Sequence, residues 1–306
     1  MVKNFIERST RGWKISLQSW KFICNNKSVL IFSSLSTITS FLLMIGLVLV
    51  AFHESTIHNG HVHIEIPHKI FYVGLILLSF IQSFVYSIAH VGLSDYVIKI
   101  LNKEERSIFG SLRHSFNKLT TIFSWSMIDT VLRVILANIK NHQKRFPFNY
   151  ILSFFSTMLF FAWNVLTFFV IPIIATRQYG VIETIKESGK TMKKTWGEAA
   201  TAHVNINIIS SIIAWVLIII CYGTLYIGLT SNFFGIGNML DKEHGIKIIM
   251  TLVVVLIFLP FMITAPFSSA ASTIVKTALY EYTQGKPMGP FDEELIKSIF
   301  TKKSES

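Results

Sequence analysis

The chain has 306 residues, enough for two soluble domains of ordinary size. Its composition excludes them: 51% of residues are hydrophobic and 15% charged, against about 25% charged in a typical soluble protein. The mean hydropathy is +0.53, and the apolar residues fall into long uncharged runs, the pattern a bilayer requires. The 28 Lys and Arg exceed the 17 Asp and Glu, a formal charge of +11. These cations sit between apolar runs with no nucleic-acid recognition motif, so the expected partners are anionic lipid headgroups rather than nucleic acid. Two cysteines, Cys24 and Cys221, exclude a disulfide framework and a four-thiolate metal site.

The first 27 residues are polar and basic. Ile6, Trp13, Leu17, Trp20 and Cys24 recur at helical spacing, with Lys14 and Lys21 off that stripe. This predicts an amphipathic helix lying in the headgroup plane. Residues 29–52 then run without a charge. That is too long for a signal-peptide core, and Val50-Ala51-Phe52-His53 makes a poor cleavage site, so a retained first span is expected.

The loop that follows holds His53, Glu54, His58, His61, His63, Glu65 and His68. Imidazole with carboxylate suits zinc, copper or nickel, so His58, His61, His63 and His68 are candidate metal ligands. The same cluster could sense pH, or it is simply a polar external loop.

A second span is expected at 70–94, with Gln82 and His90 inside it. Ile108, Leu112, Phe116 and Leu119 then mark a second amphipathic segment. A third span at 119–139 carries Asp129 and Arg133. Each charge costs about 2.5–3.5 kcal/mol on insertion scales. Their i,i+4 spacing lets them pair or turn inward together. A fourth span covers 148–176, with Asn164 and Pro172. Val181, Ile185, Met192 and Trp196 mark a third amphipathic segment among Lys186, Lys190, Lys193 and Lys194. A fifth span at 206–229 follows, with Asn205 and Asn207 at its start and Glu198 either a specific contact or its first polar turn. A sixth at 248–275 contains Pro260 and Pro266, and a short tail occupies 276–306. The three prolines either bend their helices and expose carbonyls or are tolerated without a role.

Charge placement sets the topology. With six spans, one side of the membrane receives 21 Lys and Arg and the other receives 6. The positive-inside rule then places both termini in the cytoplasm. Omitting the third span would put the five cations of 176–198 outside. The chain thus reads as one all-α integral membrane domain, 1–306, in a bacterial inner membrane. It divides into three units, each an amphipathic helix and a hairpin of two spans. Ser87 to Tyr96 and Ser269 to Tyr280, at the ends of even-numbered spans, are loosely alike.

Several short motifs carry a resemblance. They are Ser19-Trp20, Leu132-Arg133, Phe168-Phe169-Val170-Ile171-Pro172, Glu187-Ser188 and Lys194-Thr195-Trp196-Gly197-Glu198. Ala278-Leu279-Tyr280 and Phe291-Asp292, with Leu295 and Phe300, complete the set. Through them the chain resembles an uncharacterised family of six-span integral membrane proteins. That family is distantly similar to the membrane domain of glycerophosphodiester phosphodiesterases. It departs after Leu132-Arg133, where the family is richer in Glu and Arg. The resemblance implies the architecture, marks Pro172, Trp196, Gly197 and Glu198 as family positions, and implies no activity.

No Gly-x-Ser-x-Gly, His-Glu-x-x-His, P-loop or Gly-x-Gly-x-x-Gly occurs. The expectation is therefore a non-enzymatic protein without cofactor, organising lipid or scaffolding partners. The alternative is a carrier of a small solute, ion or lipid. It would work through a polar interior of Asp129, Arg133, Gln82, His90 and Asn164.

Overall fold

The computed structural model describes the backbone of residues 2–53, 55–58, 61–64, 68–141, 149–230 and 243–286. Within these, the side chains of 2–9, 11–12, 48–71, 138–153, 196–203 and 225–258 lie outside the described residues. Nine helices and one hairpin are assigned among the described residues. They are α1 Val2–Asn25, α2 Val29–His53, α3 His68–Leu101, α4 Ile108–Phe116 and α5 Leu119–Asn141. After these come α6 Asn149–Leu166, α7 Val170–Thr176, α8 Val181–Thr230 and α9 Glu243–Thr283. The hairpin pairs β1 Ser55–His58 with β2 His61–Ile64 in the loop after α2. This short excursion from an all-α fold falls where Ser-Thr-Ile-His and His-Val-His-Ile bring β-branched residues and alternation.

Among the described residues, five helical stretches are long and apolar enough to cross a membrane: Val29–Leu47, Tyr72–Leu101, Leu119–Ala137, Phe154–Thr176 and Val204–Thr224. The chain is a multi-pass, all-α membrane protein. The 34 residues of α3, 50 of α8 and 41 of α9 give lengths of about 51, 75 and 61 Å. Each exceeds a hydrocarbon core of about 30 Å.

Three boundaries differ from expectation. The third amphipathic segment and fifth span fuse into the single helix α8, so Glu198 lies in a helix interior and caps nothing. The tail does not begin at 276, because α9 continues to Thr283. The fourth span is broken between Leu166 and Val170, where Pro172 has no N–H to give Phe168 O four residues back and its ring would crowd that carbonyl in a continuous helix. A tertiary contact supports the break. The Phe169 backbone N–H donates to Ser188 Oγ on α8 at 3.0 Å rather than to its own helix. Thr167 Oγ1 also donates to Trp163 O at 2.7 Å, occupying the last carbonyl region of α6. Pro260 and Pro266 sit inside α9, which runs through both.

The α3–α4 connection is a Schellman turn: Lys103 has φ 59°, Glu104 N donates to Lys99 O and Lys103 N to Ile100 O. Ser107 caps α4 by accepting from Gly110 N at 3.3 Å.

The buried helix faces are lined by small hydroxyl residues. On α1 the buried positions are Ile15, Ser16, Ser19, Phe22 and Ile23. The expected apolar stripe points the other way: Trp13 and Leu17 are exposed, Cys24 is exposed, and Trp20 stacks on Phe267 of α9 at 6.0 Å. On α4 Ser111 and Ser115 are buried and Phe116 is exposed, while Ile108 and Leu112 of the expected stripe pack against the core. On α8 Thr184, Ser188, Thr191 and Thr195 are buried beside Met192, and Val181 and Ile185 also pack inward. Small residues let helix backbones approach, and lipid accepts the displaced apolar side chains at no cost. Many of these hydroxyls donate to a carbonyl three or four residues back, as Ser19, Ser36, Ser115 and Thr195 do.

α3 and α9 form the central seam. His90 Nδ1 lies 2.7 Å from Thr273 Oγ1, and Ser94 Oγ lies 2.8 Å from Thr277 Oγ1. His90 Nε2 meets Ser269 Oγ at 2.9 Å, and the ring stacks on Tyr86 at 4.0 Å. Both contact pairs are separated by 183 residues, so the two helices run parallel. The loosely similar ends of the second and sixth expected spans therefore face each other. The main core gathers around this seam from α1, α2, α3, α7, α8 and α9, and a second cluster joins Val91, Ile122, Trp125, Val170 and Ile174.

Gly92 marks a close approach of three helices. A Cβ there would stand 3.0 Å from Ser115 Oγ and 3.1 Å from the Phe32 ring, whereas one at Gly74 would meet nothing within 4 Å. Gly92→Leu should destabilise the protein by about 1–3 kcal/mol through overpacking. Gly74→Leu should leave stability unchanged. Thermal unfolding in detergent micelles compares the two, and equal melting temperatures would contradict this packing.

Candidate functional site

The polar site is built on the third expected span. Asp129 and Arg133 lie one turn apart on α5, and Arg133 Nε donates to Asp129 Oδ2 at 2.8 Å. Asp129 stands ten residues from the start of α5, about 15 Å along the helix and half a hydrocarbon core. Its other oxygen accepts from Trp163 Nε1 of α6 at 2.9 Å, so both carboxylate oxygens are engaged. Asp129 is 7% exposed. Arg133 Nη2 approaches Asn164 Oδ1 at 3.4 Å, and its guanidinium lies over the Phe160 ring at 5.5 Å. Trp163 stacks on Trp125, with ring centroids 5.9 Å apart, fixing the indole that holds Asp129.

These groups border a cleft of about 600 Å³ between α3, α5, the α6–α7 break and α9. Serines of α3, Gln82 and Tyr86 form one wall, and Asp129, Thr130 and Arg133 another. Phe168 and Ile171 supply an apolar side. Lys276 of α9 closes the cleft with its ammonium 4.7 Å above the Phe168 ring. The formal charges lining it are thus two positive and one negative.

Of the expected interior residues, Asp129, Arg133, Asn164 and Gln82 come together here. Gln82 Nε2 bonds Ser40 Oγ and approaches Ser36 O at 3.4 Å, tying α3 to α2. His90 does not line the cleft: it is fully buried in the α3–α9 seam behind Tyr86. Asn205 is buried on α8 and Asn207 is exposed on its other side, neither at the cleft. The expected set missed Lys276, read as tail, and Trp163, whose adjacency to Asn164 in an otherwise apolar run was the available signal. It also missed Thr130 and Tyr86, which no local pattern distinguishes.

In the loop after α2, the register places His58 opposite His61 and His63 opposite Thr56. The side chains of His58, His61, His63 and His68 lie outside the described residues. Among the described residues no group of three or more His, Cys, Asp or Glu could hold a metal ion. Pro172 is buried in α7, while the side chains of Trp196, Gly197 and Glu198 fall outside the described residues.

One end of the bundle is knitted by polar contacts beyond the spans. His114 Nε2 lies 2.8 Å from Ala175 O, Lys118 Nζ donates to Arg177 O at 2.8 Å, and Arg177 Nη2 donates to Gln284 Oε1 at 2.8 Å. Burial pushes the Lys118 ammonium below the usual lysine range.

The chain belongs to a family of unknown function (DUF6159), which it matches over residues 69–289. The match contains the whole cleft, from Ser79 to Lys276, and leaves out α1 and α2. Of the motifs behind the resemblance, those from Leu132 to Tyr280 lie inside it, and Ser19-Trp20 and Phe291-Asp292 lie outside. No curated protein matches the chain.

Asp129→Ala leaves Arg133 without its counter-charge in an apolar setting and should cost about 2–4 kcal/mol. The double variant D129A/R133M, which removes both charges, should recover part of that loss. Chemical denaturation in micelles measures the cycle; additive losses would show that the two residues are not energetically coupled.

Proposed function

We propose that this protein is a non-enzymatic carrier of a small solute, ion or lipid, with the ligand seated in the cleft beside Asp129 and Arg133. The observation that carries this reading is the polar cleft itself. An ion pair at mid-membrane depth, backed by Trp163 and opened onto about 600 Å³, exceeds what helix packing alone requires.

The reading takes six spans, with α9 as the sixth. The parallel course of α3 and α9 supports this: a chain leaving α3 at one membrane face must cross an odd number of times to enter α9 at the other. Crossings by α5, by α6 with α7, and by α8 satisfy that count. The charge bias of the connecting segments then favours cytoplasmic termini and a bacterial inner membrane. Kinship with the membrane domain of glycerophosphodiester phosphodiesterases enters this reading as architecture only and assigns no chemistry.

A second reading is an organiser of anionic lipid, acting through interfacial helices. Trp13 and Leu17 are exposed on α1 beside exposed Lys14 and Lys21, and Phe109 of α4 is 78% exposed. Such faces suit the headgroup layer.

Flux in proteoliposomes separates the two. The carrier reading predicts solute-dependent flux that Asp129→Asn reduces to the level of empty vesicles. Inert vesicles across a broad panel of ions, solutes and lipids would favour the organiser. Reporters fused to the two termini should both report the cytoplasmic face; opposite faces would contradict six spans.

A further inference from the structure

We propose that the cleft recognises an oxyanion that also carries a hydroxyl group, held between Lys276 and Arg133. This rests on the carrier reading and names the ligand class that reading leaves open.

The argument begins with charge. Asp129 is consumed: one oxygen takes Arg133 Nε and the other takes Trp163 Nε1. Lys276 has no carboxylate within ion-pair distance among the described residues and rests on the Phe168 ring. A cleft with two cations and one satisfied anion carries a net positive charge next to lipid, and an unmatched charge there is costly. A bound anion supplies the match. Arg133 retains guanidinium donors beyond the one given to Asp129, and a planar guanidinium beside an ammonium suits an acceptor with several oxygens. Carboxylate, phosphate and sulfate all meet that requirement.

Two uncompensated polar atoms narrow the choice. Thr130 Oγ1 and Gln82 Oε1 are buried without a hydrogen-bond partner, and both residues line the cleft. Orphaned buried polar atoms are rare. Several threonines and serines in these helices donate to a carbonyl four residues back, as Thr37, Thr195 and Ser210 do, and Thr130 does not. Its hydroxyl is a donor for an oxyanion. Gln82 Oε1 is an acceptor whose amide partner already serves α2, so it calls for a ligand donor such as a hydroxyl. The apolar wall of Phe168, Ile171 and Val134 leaves room for a chain attached to the same headgroup. The chemistry is shared by an anionic glycerophospholipid and by free glycerol phosphate.

The full-length protein in phosphatidylcholine nanodiscs tests this in two arms. In one, glycerol phosphate is titrated by calorimetry, with glycerol as the uncharged comparator. In the other, phosphatidylglycerol is added as a minority lipid and its retention against phosphatidylcholine is read by native mass spectrometry. Binding in the first arm identifies a free anion and retention in the second a lipid headgroup; either supports the proposal. Lys276→Met should weaken the observed binding about tenfold or more, and Thr130→Val severalfold. Unchanged melting temperatures would show that both variants fold. If Lys276→Met does not fold, Lys276→Arg should still bind and Thr130→Val should still weaken binding. No preference for either anion, or anion binding equal to wild type in both variants, overturns the proposal. Binding of glycerol equal to that of glycerol phosphate also overturns it while leaving the carrier reading intact. Failure of that reading is separate: it shows as absent flux of any solute.

Discussion

The architecture depends on how closely α3 and α9 approach. His90, Ser94, Thr273 and Thr277 put hydroxyls and an imidazole where a soluble protein would put Leu or Phe. Between helices in lipid there is no hydrophobic drive to exploit, because the tails are as apolar as leucine. What remains is dispersion between closely spaced backbones and hydrogen bonds that find no competing water. Four polar side chains in register supply both. They also fix the relative direction of the two helices.

The same economy recurs around the seam. Ser115 of α4 faces Gly92 of α3, and Thr184, Ser188, Thr191 and Thr195 line the buried face of α8. Each short side chain shortens the distance between axes, and its hydroxyl is commonly absorbed by its own helix. Ser188 does more, since it takes the Phe169 N–H and so supports the break after α6. That break brings Phe168 against Lys276 and opens the cleft above Asp129. A packing contact on one helix thus shapes the polar site on three others.

What could be read in advance follows from which forces are local. The spans were legible because a bilayer imposes length and apolarity on every crossing helix, and Asp129 and Arg133 were legible because i,i+4 spacing is a property of one helix. On α1 Trp13 and Leu17 of the apolar stripe are exposed, which suits a helix lying in the headgroup plane. The buried faces of α1, α4 and α8 were not legible, because hydrophobic periodicity carries no signal for packing by Ser and Thr. The break before α7 was partly legible, because Pro172 marks it four residues ahead, but the contact that takes up the Phe169 N–H was not, since Ser188 lies 19 residues away on another helix. Lys276 looked like the first residue of a tail, because nothing in its neighbours reveals that α9 continues and turns it toward Arg133.

The central claim is that α3 and α9 lie side by side, parallel, within the membrane. Disulfide trapping in native membranes tests it most directly, with Cys24 and Cys221 replaced by serine. The account predicts efficient crosslinking between cysteines placed at Ser94 and Thr277. It predicts none between Ser87 and Thr277, which the parallel register separates by about 10 Å along the axis. Crosslinking at the second pair and not the first would contradict the register of the seam and the crossing count built on it.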